Sequence, residues 1–377
     1  MSIRPYAIHV SAEVLDDLRE RLARTRWPEQ LAGAGWDYGA KLDFVRDICA
    51  YWQSEYDWRA AETRLNRHPG FLCEVDGVDV HFWHVRSARR DAVPLLLIHG
   101  WPGSIVEFDQ LIEPLTSPLD DEPAFDVVVP SLPGFGFGGK PRERGWSPIR
   151  IADAFTRLMT QELGYDRFGV QGGDWGSSIG SRIAQRHPEH VVALHINFFN
   201  VPPPEKVAAE DQALLDRRNA FMARETGYSN VQRTKPDSVT LAQTDSPAGL
   251  AAWVLEKFHG WSDHRGDLLS VFDRDTLLTN LMFYWAPNST ASAARIYYES
   301  QHDPAGPLVE RIEVPTGIAA FPAEPWRTPR SWVEPRYNIQ RFTEMERGGH
   351  FAALENPEGL LREIRAFFAG YSEVALS

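Results

Sequence analysis

Apolar and polar positions alternate with two different periods along this chain. Val14, Leu18 and Leu22 recur at helical spacing near the N-terminus. Ser11 stands where an N-cap belongs, with Val10 and Leu15 at the two staple positions around it. The pattern predicts a helix running to about Arg24. A second helix is expected over Tyr38 to Trp52, with Leu42, Val45 and Cys49 facing inward. Trp27, Trp36, Trp52 and Trp58 make this stretch rich in rings, which we read as anchors onto the body of the protein.

The period then shortens. Phe71–Val75 and Val78–Val85 flank Asp76-Gly77, a hairpin signal. Val93–Ile98 is continuously apolar, as suits a strand buried on both faces. Phe125–Val129, Phe168–Val170 and Val191–Ile196 read likewise, with helix-like stretches between them. This alternation predicts a mostly parallel sheet covered on both faces. It breaks at Pro202-Pro203-Pro204, and residues 200–305 read as helices and loops. Strand character returns at Val314–Phe321 and at Phe342–Met345, and a last helix is expected over Pro357–Phe368. A helical block is therefore inserted into an α/β core.

Composition narrows the partners. Lys plus Arg number 39 against 52 Asp plus Glu, a net charge of −13 with no basic block, so nucleic acid is not an expected partner. Cys49 and Cys73 form no CxxC and lack metal-ligand spacing, so both are expected as reduced, buried thiols. No apolar stretch reaches ~18 residues, and Met1–Tyr6 leads into charge instead of an apolar leader. The expectation is a freely soluble cytoplasmic protein without a membrane anchor.

The chemistry concentrates at Gly172-Gly173-Asp174-Trp175-Gly176. This run lies between a strand-like and a helix-like stretch, the setting of a nucleophile elbow. A carboxylate in the middle position attacks an electrophilic sp³ carbon and leaves an alkyl ester, so the substrate must carry a leaving group on carbon. An elbow needs an acid and then a histidine later in the chain. His350, in Gly348-Gly349-His350-Phe351, lies between the last strand and the last helix, where the base belongs. Glu324 lies just past the preceding strand end, 26 residues before His350. The backbone N–H groups of Trp101 and Trp175 are the expected oxyanion donors. His99 is read as a support for the Trp101 loop. The glycine-rich run Pro133–Gly138 lacks the GxGxxG register and is read as a flexible pocket wall.

Together these segments resemble the α/β-hydrolase superfamily, and more narrowly the microsomal-type epoxide hydrolases, over nearly the whole chain. Trp36-Asp37-Tyr38-Gly39, Tyr51-Trp52 and Tyr56-Asp57-Trp58-Arg59 resemble the family's N-terminal segment. His99–Ser104 resembles its oxyanion loop, Gly172–Gly176 its nucleophile motif, Phe321–Glu324 its acid segment and Gly348–Phe351 its histidine loop. The resemblance implies an α/β-hydrolase fold with a mostly parallel central sheet, helices on both faces, an inserted helical cap and an N-terminal wrapping segment. It divides the chain into an N-terminal segment (1–75), a first core part (76–199), a cap (200–306) and a second core part (307–377). It also implies two cap tyrosines that hold the epoxide oxygen. Tyr228, ahead of Thr234–Asp237, resembles the first, and Tyr297, after Leu281–Trp285, the second. Tyr298 is the adjacent alternative.

The implied activity is hydrolysis of a small-molecule epoxide to a vicinal diol through an ester on Asp174, with no metal or organic cofactor. Detoxification and natural-product biosynthesis are both compatible settings, and a homodimer is possible. Two rival readings remain at this stage: a haloalkane-type dehalogenase on the same fold, and a non-catalytic binding protein.

Overall fold

The computed structural model describes residues 3–119, 122–199, 201–306, 310–325 and 327–371. Nine strands form one sheet: β1 (Arg4–Pro5), β2 (Gly70–Val75), β3 (Val78–Val85), β4 (Val93–Ile98), β5 (Phe125–Pro130), β6 (Phe168–Gly172), β7 (Val191–Ile196), β8 (Ile312–Ala320) and β9 (Tyr337–Glu344). Their spatial order is β1-β2-β3-β5-β4-β6-β7-β8-β9. Strands β1 to β3 pair antiparallel, β3 pairs antiparallel with β5, and the remainder is parallel. The Asp76-Gly77 turn places both residues at positive φ, 53° and 78°, as a tight hairpin of right-handed strands requires.

Adjacent residues of a strand face opposite sides of the sheet. A Cβ at Gly169 would meet Phe368 of the last helix, Pro357–Phe368. Its neighbour Val170 packs against Gly180 of the helix Asp174–Arg186. One strand thus separates two helical layers, and the apolar run of β4 is buried at every position.

The N-terminal segment wraps as its aromatic content suggests. Trp52 and Trp58 are buried, and Trp36 stacks on His259 with 4.0 Å between ring centres. Ser11 caps the first helix, Ala12–Ala23, by accepting from the Val14 N–H. The second helix is Leu42–Ser54, four residues later than expected. Gly39 adopts φ 114°, which breaks the helical path, and Tyr38 is exposed. Its inward face is Val45, Ile48, Cys49 and Trp52, with Leu42 only half-buried. Tyr51 and Tyr56 hydrogen-bond Asp275 and Thr279, so the segment also ties down the inserted helices.

Between β7 and β8 the described chain is helical, with the longer helices at Gln212–Glu225, Gly227–Thr234, Pro236–Asp245, Pro247–Trp261, Arg274–Trp285 and Thr290–Gln301. The last strand begins at Tyr337, five residues earlier than expected, because its half-polar first half reads as loop but pairs with β8. The Pro133–Gly138 run is packed and hydrogen-bonded in the structure. Phe135 is buried, and the Gly134 N–H donates to the Gly139 carbonyl. The Ser292 hydroxyl donates to the Gly134 carbonyl, at 2.5 Å, anchoring the helix that carries Tyr297. Among the described residues no helix is long and apolar enough to cross a membrane.

Candidate active site

The site forms where the parallel strands end. Asp174 follows β6 at φ 47°, a strained conformation for a non-glycine residue. The strain is tolerated because helix and strand meet closely here: a Cβ on Gly176 would lie 1.9 Å from the Ile98 carbonyl oxygen. The turn lifts the Asp174 carboxylate out of the sheet toward the loop after β4. There the Trp101 N–H donates to Asp174 Oδ1 at 2.8 Å. The Trp175 N–H lies in the first turn of the following helix, where no intrahelical acceptor exists.

His350 lies in the loop after β9, and Glu324 in the loop after β8. The Glu324 carboxylate meets His350 Nδ1 at 2.9 and 3.2 Å. This places the ring proton on Nδ1 and turns Nε2 toward Asp174, with Oδ2 3.5 Å away. The side chains of His350 and Glu324 are both 6 % exposed. Burial disfavours the imidazolium, but Glu324 and Asp174 favour it and win, holding the His350 pKa well above its ordinary value. In space His350 stands between the two acids, with Glu324 on Nδ1 and Asp174 facing Nε2, although it is the last of the three in the chain.

His99 supports the loop, as its position suggested. The Leu132 N–H donates to His99 Nε2 at 3.1 Å, which leaves the ring proton on Nδ1 to donate to the Gly100 carbonyl. Burial pushes its pKa down to about 4, so it stays neutral.

Rings form the opposite wall. Trp101 stacks on Tyr228 at 5.2 Å, and Tyr297 stands edge-on to Trp175 at 4.8 Å and to Trp101 at 5.7 Å. The two tyrosine rings are 5.9 Å apart. Burial first, and then charged neighbours including Asp174, raise both phenol pKa values, so both hydroxyls are protonated donors at neutral pH. Tyr298 points elsewhere. It stacks on His302 and lines a separate groove of about 380 Å³ with Trp146 and Arg142.

Several contributors escape sequence reasoning. Glu107, in the helical turn after the Trp101 loop, lines a small cavity of about 20 Å³ with Asp174, His350 and Asn197. Burial first, with Asp174 adding to it, pushes its carboxyl up to about 8. Arg217 donates to the carbonyls of Pro322 and Glu324, bracing the acid loop. Glu355 accepts from the Gly349, Phe351 and Asp263 N–H groups at 2.7 to 2.9 Å, which fixes the chain on both sides of His350. In one sequence these acids and this arginine look like any surface charge. The Gly348-Gly349-His350-Phe351 loop is the one nearby signal, for Glu355, six residues beyond Gly349.

A mostly parallel sheet with an elbow aspartate, a following acid and a histidine at its strand ends has the architecture of the α/β-hydrolase fold. The family model for the alpha/beta hydrolase fold matches residues 93–242, and that for the epoxide hydrolase N terminus matches residues 3–108. The chain belongs to the epoxide hydrolase family. A Stigmatella aurantiaca protein is 42 % identical, over 97 % of this chain and 84 % of its own. Epoxide hydrolase 1 of Sus scrofa is 37 % identical, over 97 % of this chain and 88 % of its own. The crystal structure of juvenile hormone epoxide hydrolase from the silkworm Bombyx mori superposes with a TM-score of 0.93 at 32 % identity, over 99 % of this chain and 95 % of that one. The activity is hydrolysis of an epoxide, as the resemblance implied.

Proposed function

We propose that this enzyme opens its epoxide by covalent catalysis on Asp174, with Tyr228 and Tyr297 as acids and His350–Glu324 as the base for a second step. The observation that carries this reading is the Asp174 carboxylate. Trp101 holds Oδ1, and Oδ2 is free to attack between a buried imidazole and a pair of protonated phenols.

The tyrosine hydroxyls donate to the epoxide oxygen. Oδ2 attacks a ring carbon, the C–O bond breaks, and a tyrosine proton passes to the departing alkoxide. The ester that forms carries no charge. The imidazolium thereby loses one of the two carboxylates that raise its pKa. It releases its Nε2 proton, which replaces the one the tyrosine gave, and becomes a base. A water then loses a proton to Nε2 and adds to the Asp174 carbonyl. The Trp101 and Trp175 N–H groups hold the oxyanion, each worth roughly 3 kcal/mol in comparable sites. Collapse breaks the ester C–O bond; the departing alkoxide takes the proton of the newly added hydroxyl and leaves as the diol, which restores the carboxylate beside the imidazolium. The net change is epoxide plus water to diol.

The water has a candidate place. A cavity of about 20 Å³ holds one water and is too small for an epoxide. Its walls include Asp174, His350 and Glu107 but neither tyrosine. Water at this place approaches the ester from a side the epoxide does not occupy. The ring-lined wall suits apolar epoxides, styrene oxide among them. A reducing, cytoplasmic setting is supported by two free and buried cysteines.

Intact-mass spectrometry with styrene oxide tests the scheme. His350→Gln is expected to accumulate protein one substrate mass heavier, and Asp174→Asn to form neither adduct nor diol. An Asp174→Asn variant that makes diol at the wild-type rate would overturn it.

A further inference from the structure

Behind Tyr228 lies a charge that the mechanism above does not use. Lys257, on the helix Pro247–Trp261, is buried, with only 6 % of its side chain exposed. Its Nζ lies 4.7 Å from the centre of the Tyr228 ring and 5.9 Å from that of Trp261. It also pairs with Glu256, its neighbour in sequence. Burying an ammonium is costly, and a leucine or methionine would fill the same space more cheaply. An ammonium over a desolvated ring face, in contrast, is attracted by the ring and draws electron density from it.

We propose that Lys257 is a positioning and electrostatic residue that makes the Tyr228 hydroxyl a stronger proton donor to the opening epoxide. This inference rests on the reading of Tyr228 as an acid. The phenol is in a difficult position. Burial first, then the charges of Asp174, Glu324 and Glu256, oppose its ionisation, with a hydrogen bond to Tyr297 in its favour, and the balance weakens it as an acid at the moment the alkoxide forms. Trp101 stacks against the ring and Trp261 leans on it, so those surfaces are covered by other rings. A cation at the ring stabilises negative charge on the phenol oxygen as the proton moves across. Glu256 offsets the cost of burying Lys257. The rings of Tyr228, Trp261 and His350 form a continuous wall, with Trp261 4.9 Å from His350, so the lysine acts within the site yet touches no reacting atom.

Stopped-flow tryptophan fluorescence separates the two chemical steps, because Trp101 and Trp175 flank Asp174. With styrene oxide as the probe, Lys257→Met is expected to slow alkylation about tenfold and to leave ester hydrolysis within about twofold. Lys257→Arg retains most of the alkylation rate, and it keeps the question decidable if Lys257→Met folds poorly. The deciding comparison is a double-mutant cycle. If the lysine acts through the phenol hydroxyl, Lys257→Met has no further effect in a Tyr228→Phe background. A full tenfold loss in that background, or a loss on the hydrolysis step alone, overturns the proposal. Unchanged alkylation in Tyr228→Phe itself would instead overturn the role given to the tyrosine.

Discussion

Each side chain in the site has a task set by its neighbours more than by its own type. Three acids make the point. Asp174 is held at Oδ1 by an N–H and faces an imidazolium, which suits the nucleophile role proposed for it. Glu324 is bound to His350 Nδ1 and orients the ring. Glu107 is buried deeply enough that, despite the nearby His350 and a backbone N–H from Ser104, its carboxyl is pushed up to about 8. Replacing Glu107 with Gln should slow ester hydrolysis about tenfold by misplacing the water, while leaving alkylation unchanged in a burst experiment. Equal slowing of both steps would remove Glu107 from the water site. The tyrosines separate as cleanly. Tyr297→Phe should slow alkylation about a hundredfold, whereas Tyr298→Phe, whose ring stacks on His302 outside the site, should not.

At the scale of elements, loops are held in place by side chains from elsewhere in the chain. Glu355 gathers three N–H groups from both sides of His350 and from the end of the helix Pro247–Trp261. The His350 N–H itself donates to the Trp261 carbonyl. His350 is therefore tied to the helix Pro247–Trp261, whose terminal Trp261 packs against the Tyr228 ring. Glu355→Ala leaves buried donors unpaired and should cost about 3 kcal/mol, read by urea unfolding, with kcat reduced beyond what lost folding explains. The elbow and its flanking strands were legible in the sequence because small residues and apolar runs have few alternative uses. The start of the second helix was not, because Gly39 had to be seen at positive φ. The contact of the Pro133–Gly138 loop with Ser292, more than 150 residues away, was likewise not legible in the sequence.

Across the whole molecule, buried titratable groups set a pH window. Burial lowers the pKa of His81 to about 3 and of His84, His99, His195 and His259 to about 4. The stability these neutral rings contribute is present above their unfolded value of about 6.5. It is lost as the pH falls toward 4, because the unfolded chain takes up protons the folded one refuses. Glu107 and Glu355 act with the opposite sign. Their folded pKa values, about 8 and about 7, exceed the unfolded value, so their contribution is lost as the pH rises through those values. His350, raised by its carboxylates, adds to that upper loss. Tm should therefore climb from pH 4 to about 6.5 and decline toward pH 8 and beyond, and Glu107→Gln should flatten the upper limb. A wild-type profile flat from pH 4 to 8 would contradict both assignments.

The linear pattern pointed to the α/β class, the helices between β7 and β8, and Asp174 and His350 as site candidates, with the family resemblance adding Glu324. These depend on local rules: apolar period, turn geometry, and the chain order of an elbow, its acid and its base. The choice between Tyr297 and Tyr298 belonged to the tertiary structure, since both share one helical turn and only packing shows which faces Trp101. So did Glu107, Glu355, Arg217 and Lys257, charged residues whose roles arise when distant segments remove them from water. Charge in a sequence carries no label of burial. Burial, through desolvation and the few partners left within reach, turns an ordinary acid or lysine into part of the site.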